Sequence, residues 1–215
     1  MKWLKRFIAH WKSFILRESK MLTISGVHVT KEYGAPTLRD IAIQSMRIPR
    51  FCGSTNQFYP VGMHLLFVAK LVPPALEHHA LLHDAPEVCV GDVPRPMKTD
   101  QAREVEQALF VRLYESLGLA LPTPEEEAIV KAADIKACMV EGLHLNVPGF
   151  RYVTANLDID AEAYQAFEQL MNGYNPAGCI SEHGFYVGQL MERLYRSVYA
   201  AHSRVAMDVA EQALD

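Results

Sequence analysis

Apolar positions recur along most of this chain at helical spacing. Leu38 to Met46 forms one such stretch, opened by Thr37 with Asp40 three residues on, an acidic variant of the capping box. Val61 to Leu71 is strongly apolar and is ended by Pro73-Pro74. A helix follows over Ala75 to about Asp84, and Pro86, Gly91, Pro94 and Pro96 turn the next segment into a loop. Asp100 to Leu117 carries Val105, Ala108, Leu109, Leu113 and Leu117 on one face and stops before Gly118, a suitable C′ residue. The sharpest local signature is Thr123-Pro124-Glu125-Glu126: a capping box, proline at the first helical position, and acids at the positive end of the dipole. That helix runs to about Leu145. Helices over Asp160 to Met171, stopped at Gly173, and Phe185 to about Ala210 complete the set. The one β signal is Leu22 to Thr30, which alternates around Ser25-Gly26 as a small hairpin. The pattern predicts an all-α bundle of about seven helices with a small N-terminal hairpin. With no internal repeat and no dividing linker, residues 21–215 read as one domain.

Composition narrows the class. The 215 residues are half apolar and about a fifth charged, and a chain of this size buries roughly 70% of its extended surface without help from disulfides. Cys52, Cys89, Cys138 and Cys179 contain no CxxC pair, so they read as four reduced thiols of a cytosolic protein rather than a zinc ribbon or disulfide framework. The formal charge of -4 is not that of a dedicated nucleic-acid binder. It conceals an asymmetry: residues 1–20 hold six lysines and arginines against the single acid Glu18. Trp3, Leu4, Phe7, Ile8, Trp11, Phe14 and Ile15 lie opposite those cations at helical spacing. This extension suits weak contact with an anionic membrane surface, a helix packed on the body or a partner, or an artefactual stretch upstream of a start at Met21. It lacks the apolar run and cleavage site of a secretory signal, and no window reaches the roughly 18 apolar residues of a spanning helix.

Several polar groups sit where burial is costly. His64 lies within Val61 to Val68, His83-Asp84 follow Ala80-Leu81-Leu82, and Asp134 shares a stripe with Val130, Ala133, Ala137 and Cys138. Each alone has a structural explanation, such as a hydrogen-bonded core histidine. Together they say more. A carboxylate on an apolar stripe must be paired, hydrogen-bonded or bound to a cation, and two imidazoles with two carboxylates suit one divalent metal with open positions for water and substrate.

The doublet in Ala80-Leu81-Leu82-His83-Asp84-Ala85-Pro86-Glu87-Val88, continuing into Gly91-Asp92-Val93-Pro94-Arg95-Pro96-Met97-Lys98, resembles the HD-domain metal-dependent phosphohydrolases. The arrangement is similar to that of the branch containing bacterial 5′-deoxynucleotidases and phage-type deoxynucleoside triphosphate hydrolases. The resemblance covers residues 37–145 best and implies the HD helical bundle, with His64, His83, Asp84 and Asp134 as metal ligands. It implies that Glu87 orients or deprotonates the attacking water and that Asp92 protonates the departing oxygen. Arg47-Ile48-Pro49-Arg50-Phe51 is similar to the family's arginine-aromatic pair, so Arg50 would grip phosphate and Phe51 pack on the base or sugar. Lys98 is a second phosphate candidate. His79 is left as structural or solvated, since no glutamate completes an HExxH site with His83.

The implied activity is cleavage of the 5′-phosphate ester of deoxynucleotides by attack of metal-activated water on the α-phosphorus, most simply as a 5′-deoxynucleotidase. Alternatives are a dNTP triphosphohydrolase releasing nucleoside and triphosphate, an enzyme for another phosphoester such as a cyclic nucleotide or alarmone, and a non-catalytic nucleotide-binding protein. The ion is one of Mn, Co, Fe, Ni, Zn or Mg. The expected partners are a small-molecule nucleotide and further copies of the chain, with no specific nucleic acid. Met63, Leu65 and Cys52-Gly53-Ser54 depart from the relatives' residues around the first ligand, which bears on the substrate pocket rather than on the ligand set.

Overall fold

The computed structural model describes residues 21–30, 32–150 and 160–212, the last five as backbone only. The amphipathic extension over residues 1–20 lies outside them. The described chain is mostly helical, with a single two-stranded antiparallel pair, β1 (Met21–Leu22) and β2 (His28–Val29).

The helices are α1 (Leu38–Ser45), α2 (Val61–Leu71), α3 (Glu77–Leu82), α4 (Glu87–Val90), α5 (Asp100–Leu117), α6 (Pro124–His144), α7 (Ala161–Met171), α8 (Ala177–Ile180) and α9 (Phe185–Gln212). Both expected capping boxes form. Thr37 and Asp40 close α1, and Thr123 and Glu126 close α6, with Pro124 at the first position. Gly118 ends α5 in the left-handed region at φ 64°.

α2 is the hub. Val61 through Ala69 are all buried, and the helix packs against α1, α3, α6, α7 and α9. Its mainly apolar sides contribute about 1.5–3 kcal/mol for each large residue removed from water. Its approach to α1 depends on Gly62, where a Cβ would come within 2.8 Å of the Met46 side chain and 2.9 Å of Ser45 Oγ.

The hairpin is tied to α1 by side chains. Asp40 accepts from the backbone of Thr37 and, at 2.7 Å, from that of Ser25, so one buried carboxylate serves both the cap and the turn. Gln44 accepts from Ile24 N at 3.1 Å and donates to Val88 O at 3.1 Å, bridging hairpin and α4.

Two stretches differ from the sequence expectation. The helix over Ala75 to Asp84 is a tight turn at Pro74–Leu76 followed by α3, which stops at Leu82 and leaves His83 and Asp84 in a turn. The loop expected beyond Pro86 instead begins with α4, because Glu87 N bonds Asp84 O and Gly91 N bonds Glu87 O. Proline, which lacks an N–H, opens such a turn without loss. α8 has four residues, too few for a period to show. Among the described residues no helix is long and apolar enough to cross a membrane.

Candidate metal centre

His64 comes from the middle of α2, His83 and Asp84 from the turn after α3, and Asp134 from the third turn of α6, and these three helices pack on one another. Their donor atoms converge within 4.8 Å of one another. His64 Nε2 is 3.3 Å from Asp134 Oδ1 and 3.6 Å from Asp84 Oδ2, and His83 Nε2 is 3.2 Å from Asp84 Oδ2 and 4.0 Å from Asp134 Oδ1. Metal bonds of about 2.1 Å imply neighbouring donors about 3.0–3.5 Å apart. Two of the four distances have that spacing, and the other two, at 3.6 and 4.0 Å, are a little longer.

The outer hydrogen bonds fix how the rings are used. His64 Nδ1 donates to Glu141 Oε1 at 2.8 Å and His83 Nδ1 donates to the Ala80 carbonyl at 2.7 Å. With Nδ1 donating, either ring in its singly protonated form turns a bare Nε2 lone pair toward the carboxylates, and neither Nε2, though buried, has a hydrogen-bond partner. Lone pairs facing carboxylate oxygens repel unless a cation lies between them. An imidazole oriented from behind by a carboxylate or carbonyl is the arrangement that metal-binding histidines use. The donor set fits a divalent ion and can hold one.

Charge tells the same story. Burial and the Arg50 charge press the His64 imidazole toward neutrality, but Glu141 and Asp134 prevail and raise it to about 9, so a proton serves as the cation when no metal does. Asp84 and Asp134 are each raised by burial but lowered much further, Asp84 by His83, His64 and Arg50 and Asp134 by His64, His83 and Lys131. Arg95 Nη2 also approaches Asp134 Oδ2, at 3.7 Å.

The remaining sequence candidates divide. Arg50 is drawn into the centre: it is 7% exposed, with Nη1 3.6 Å from Asp84 Oδ2 and Nε 3.2 Å from Glu141 Oε2, close enough to pair though off-line for a hydrogen bond. It gets there through the Pro49–Pro60 bridge, where Arg50 N bonds Tyr59 O and Val61 N bonds Ile48 O. Phe51 and Cys52 then turn with φ of 54° and 51°, a region costing non-glycine residues roughly 1–2 kcal/mol each. The Phe51 ring lies under the Arg50 guanidinium at 5.3 Å and edge-on to Phe150 at 5.5 Å.

Glu87 is buried, and one of its oxygens has no hydrogen-bond partner. Burial, helped by the charges of Asp84 and Asp92, pushes its carboxyl up to about 10. Burial likewise raises Asp92, against the opposing pull of Arg50. Lys98 holds Glu106 at 2.7 Å, and both Lys98 and Glu87 line a cavity of about 410 Å³ that opens on His83 and Asp84.

Glu141 is the functional residue that sequence reasoning missed. Fully buried on α6, it joins Tyr59 (2.9 Å), His64 and Arg50. The available signal was its place seven residues after Asp134, on the same helical stripe.

Comparison with known proteins gives relatives but no family: no family model matches the chain. It is 33% identical to "Uncharacterized protein YfdR" of Escherichia coli K12 over 100 residues, 46% of this chain and 54% of that protein. It is also 33% identical to an uncharacterized protein of Rhodobacter capsulatus over 125 residues, 49% of this chain and 63% of that one. The chain thus spans a little over half the length of the curated relatives it matches.

Proposed function

We propose that this chain is a metal-dependent phosphohydrolase of the HD type that cleaves the 5′-phosphate ester of deoxynucleoside monophosphates. The observation that carries the reading is the pair of buried, partnerless Nε2 atoms of His64 and His83 facing the carboxylates of Asp84 and Asp134. His64, His83, Asp84 and Asp134 would hold a divalent ion there, which would neutralise phosphoryl oxygens and acidify water.

The chain's own groups supply the rest. Arg50 carries a fixed positive charge at the edge of the quartet and offers it to a phosphate oxygen. Burial and the charge of Asp84 hold a proton on Glu87, and that proton must pass to solvent before the group can accept another; a cation held by Asp84 would favour its release. Glu87 then takes the proton of the water whose oxygen attacks phosphorus. As the P–O5′ bond breaks, Asp92 gives its proton to O5′, which leaves as the nucleoside. Two carboxyl groups in different surroundings divide the acid and base roles.

The test is product analysis. Metal-stripped protein is reloaded with Mn²⁺ or Co²⁺ and offered each dNMP and dNTP. Phosphate release from dNMPs, abolished in Asp84→Asn, is the expected result. Release of triphosphate from dNTPs instead assigns the triphosphohydrolase form of the same chemistry, and no turnover of either class refutes the reading.

A further inference from the structure

We propose that the cavity beside the metal centre seats the nucleobase, with Phe110 and Leu121 as the wall that sets base dependence. This rests on the deoxynucleotide reading and deepens it. The cavity, about 410 Å³, lies among the His83 turn, α5, α6 and the loop joining them. Small-molecule sites fall between about 300 and 1,000 Å³.

Its lining is mixed: Asp84, Glu87 and Lys98 are polar, α6 adds Val130 to Glu127 and Lys131, and Gln107 lies one turn before Phe110 on α5. The α5–α6 loop contributes Leu121 and Pro122, and α5 contributes Phe110.

The apolar end is firmly built. Tyr114 Oη and His79 Nδ1 are 2.8 Å apart, and their rings stack at 5.6 Å with 13° between planes, forming one side of the cavity. Leu119 N and Gly118 N cap α5 by bonding Tyr114 O and Glu115 O, and the Thr123 capping box starts α6. Leu121 is therefore held in a short loop fixed at both ends. It lines the cavity and remains 47% exposed.

The chemistry of this wall selects a base over the alternatives. The cations of the lining are already engaged, Lys98 by Glu106, Lys131 by Asp134 and Arg103 by the Arg95 and Lys98 carbonyls, so a phosphate chain finds little free positive charge there. A sugar offers hydroxyls that Phe110, Leu121 and Pro122 cannot satisfy. A nucleobase presents a flat π-face that packs on such side chains whatever its edge pattern.

The experiment compares substrates with and without a base. Full-length wild type, Leu121→Ser and Phe110→Leu are loaded with Mn²⁺ and assayed on dAMP, dTMP and 2-deoxyribose 5-phosphate, which keeps sugar and phosphate but lacks the base. The ratio of kcat/KM for a dNMP to that for 2-deoxyribose 5-phosphate is expected to fall about tenfold in Leu121→Ser. An unchanged ratio overturns the inference while leaving the hydrolase reading in place. If wild type turns over none of the three, the hydrolase reading fails instead, and calorimetric titration of dAMP into the Mn²⁺-loaded proteins decides the subsite. Binding weakened about tenfold by Leu121→Ser sustains it, and equal or absent binding overturns it.

Discussion

Glu141 accepts the Nδ1 proton of His64 at 2.8 Å, and its other oxygen stands 3.2 Å from Arg50 Nε. One buried carboxylate thus orients a ring of the candidate metal centre and anchors the Arg50 cation beside it. Replacing an outer-shell partner of this kind costs about 10–100-fold in metal affinity. Glu141→Gln keeps the volume but removes the charge that sets the tautomer of His64. Chelator competition with Mn²⁺ is expected to show at least the lower end of that loss, and an unchanged affinity would contradict the role.

Arg50 and Glu141 are coupled through burial. Arg50→Met strips Glu141 of a cation in a place water does not reach, and a buried pair broken on one side costs about 3–5 kcal/mol. The double variant Arg50→Met/Glu141→Gln restores neutrality. Urea unfolding of the two single variants and the double should give a coupling of about 1–3 kcal/mol. Additive losses would place the two residues in independent roles.

Stability without metal should fall as pH rises. His64, raised to about 9 from an unfolded value near 6.5, contributes stabilisation that is complete below pH 6.5 and lost as pH climbs through 9. Glu87, pushed up to about 10, acts in the same direction, since the folded state keeps a proton that the unfolded chain releases. Between pH 6.5 and 9 the chelated protein should lose about 3 kcal/mol from His64 alone. The Mn²⁺-loaded protein resists this loss, because protons compete with the ion for the same donors. Urea midpoints across that range check both halves, and a chelated midpoint that rises with pH would refute the assignment.

The four metal-centre residues were legible because each conflicts with its surroundings: an imidazole inside Val61 to Val68, a doublet after three apolar residues, a carboxylate on the α6 stripe. Glu141 carries the same conflict, but its meaning depends on His64 and Tyr59, 77 and 82 residues away, which only folding brings near. The helix boundaries that sequence located well, at Thr37, Thr123 and Gly118, are those where a side chain or a glycine acts on its own backbone. α4 and α8 depend on turn hydrogen bonds too local for any period to register. The left-handed turn at Phe51 and Cys52 has a glycine only at its last position, Gly53, and lies in the loop whose ends the Pro49–Pro60 bridge brings together.

The amide of Gln44 touches Ile24 on one side and Val88 on the other, and Val88 directly follows Glu87. Whatever pulls on the strand pair therefore has a path of one side chain to the backbone that carries Glu87. A substitution at Gln44 would cut that path and uncouple the hairpin from the turn that begins α4.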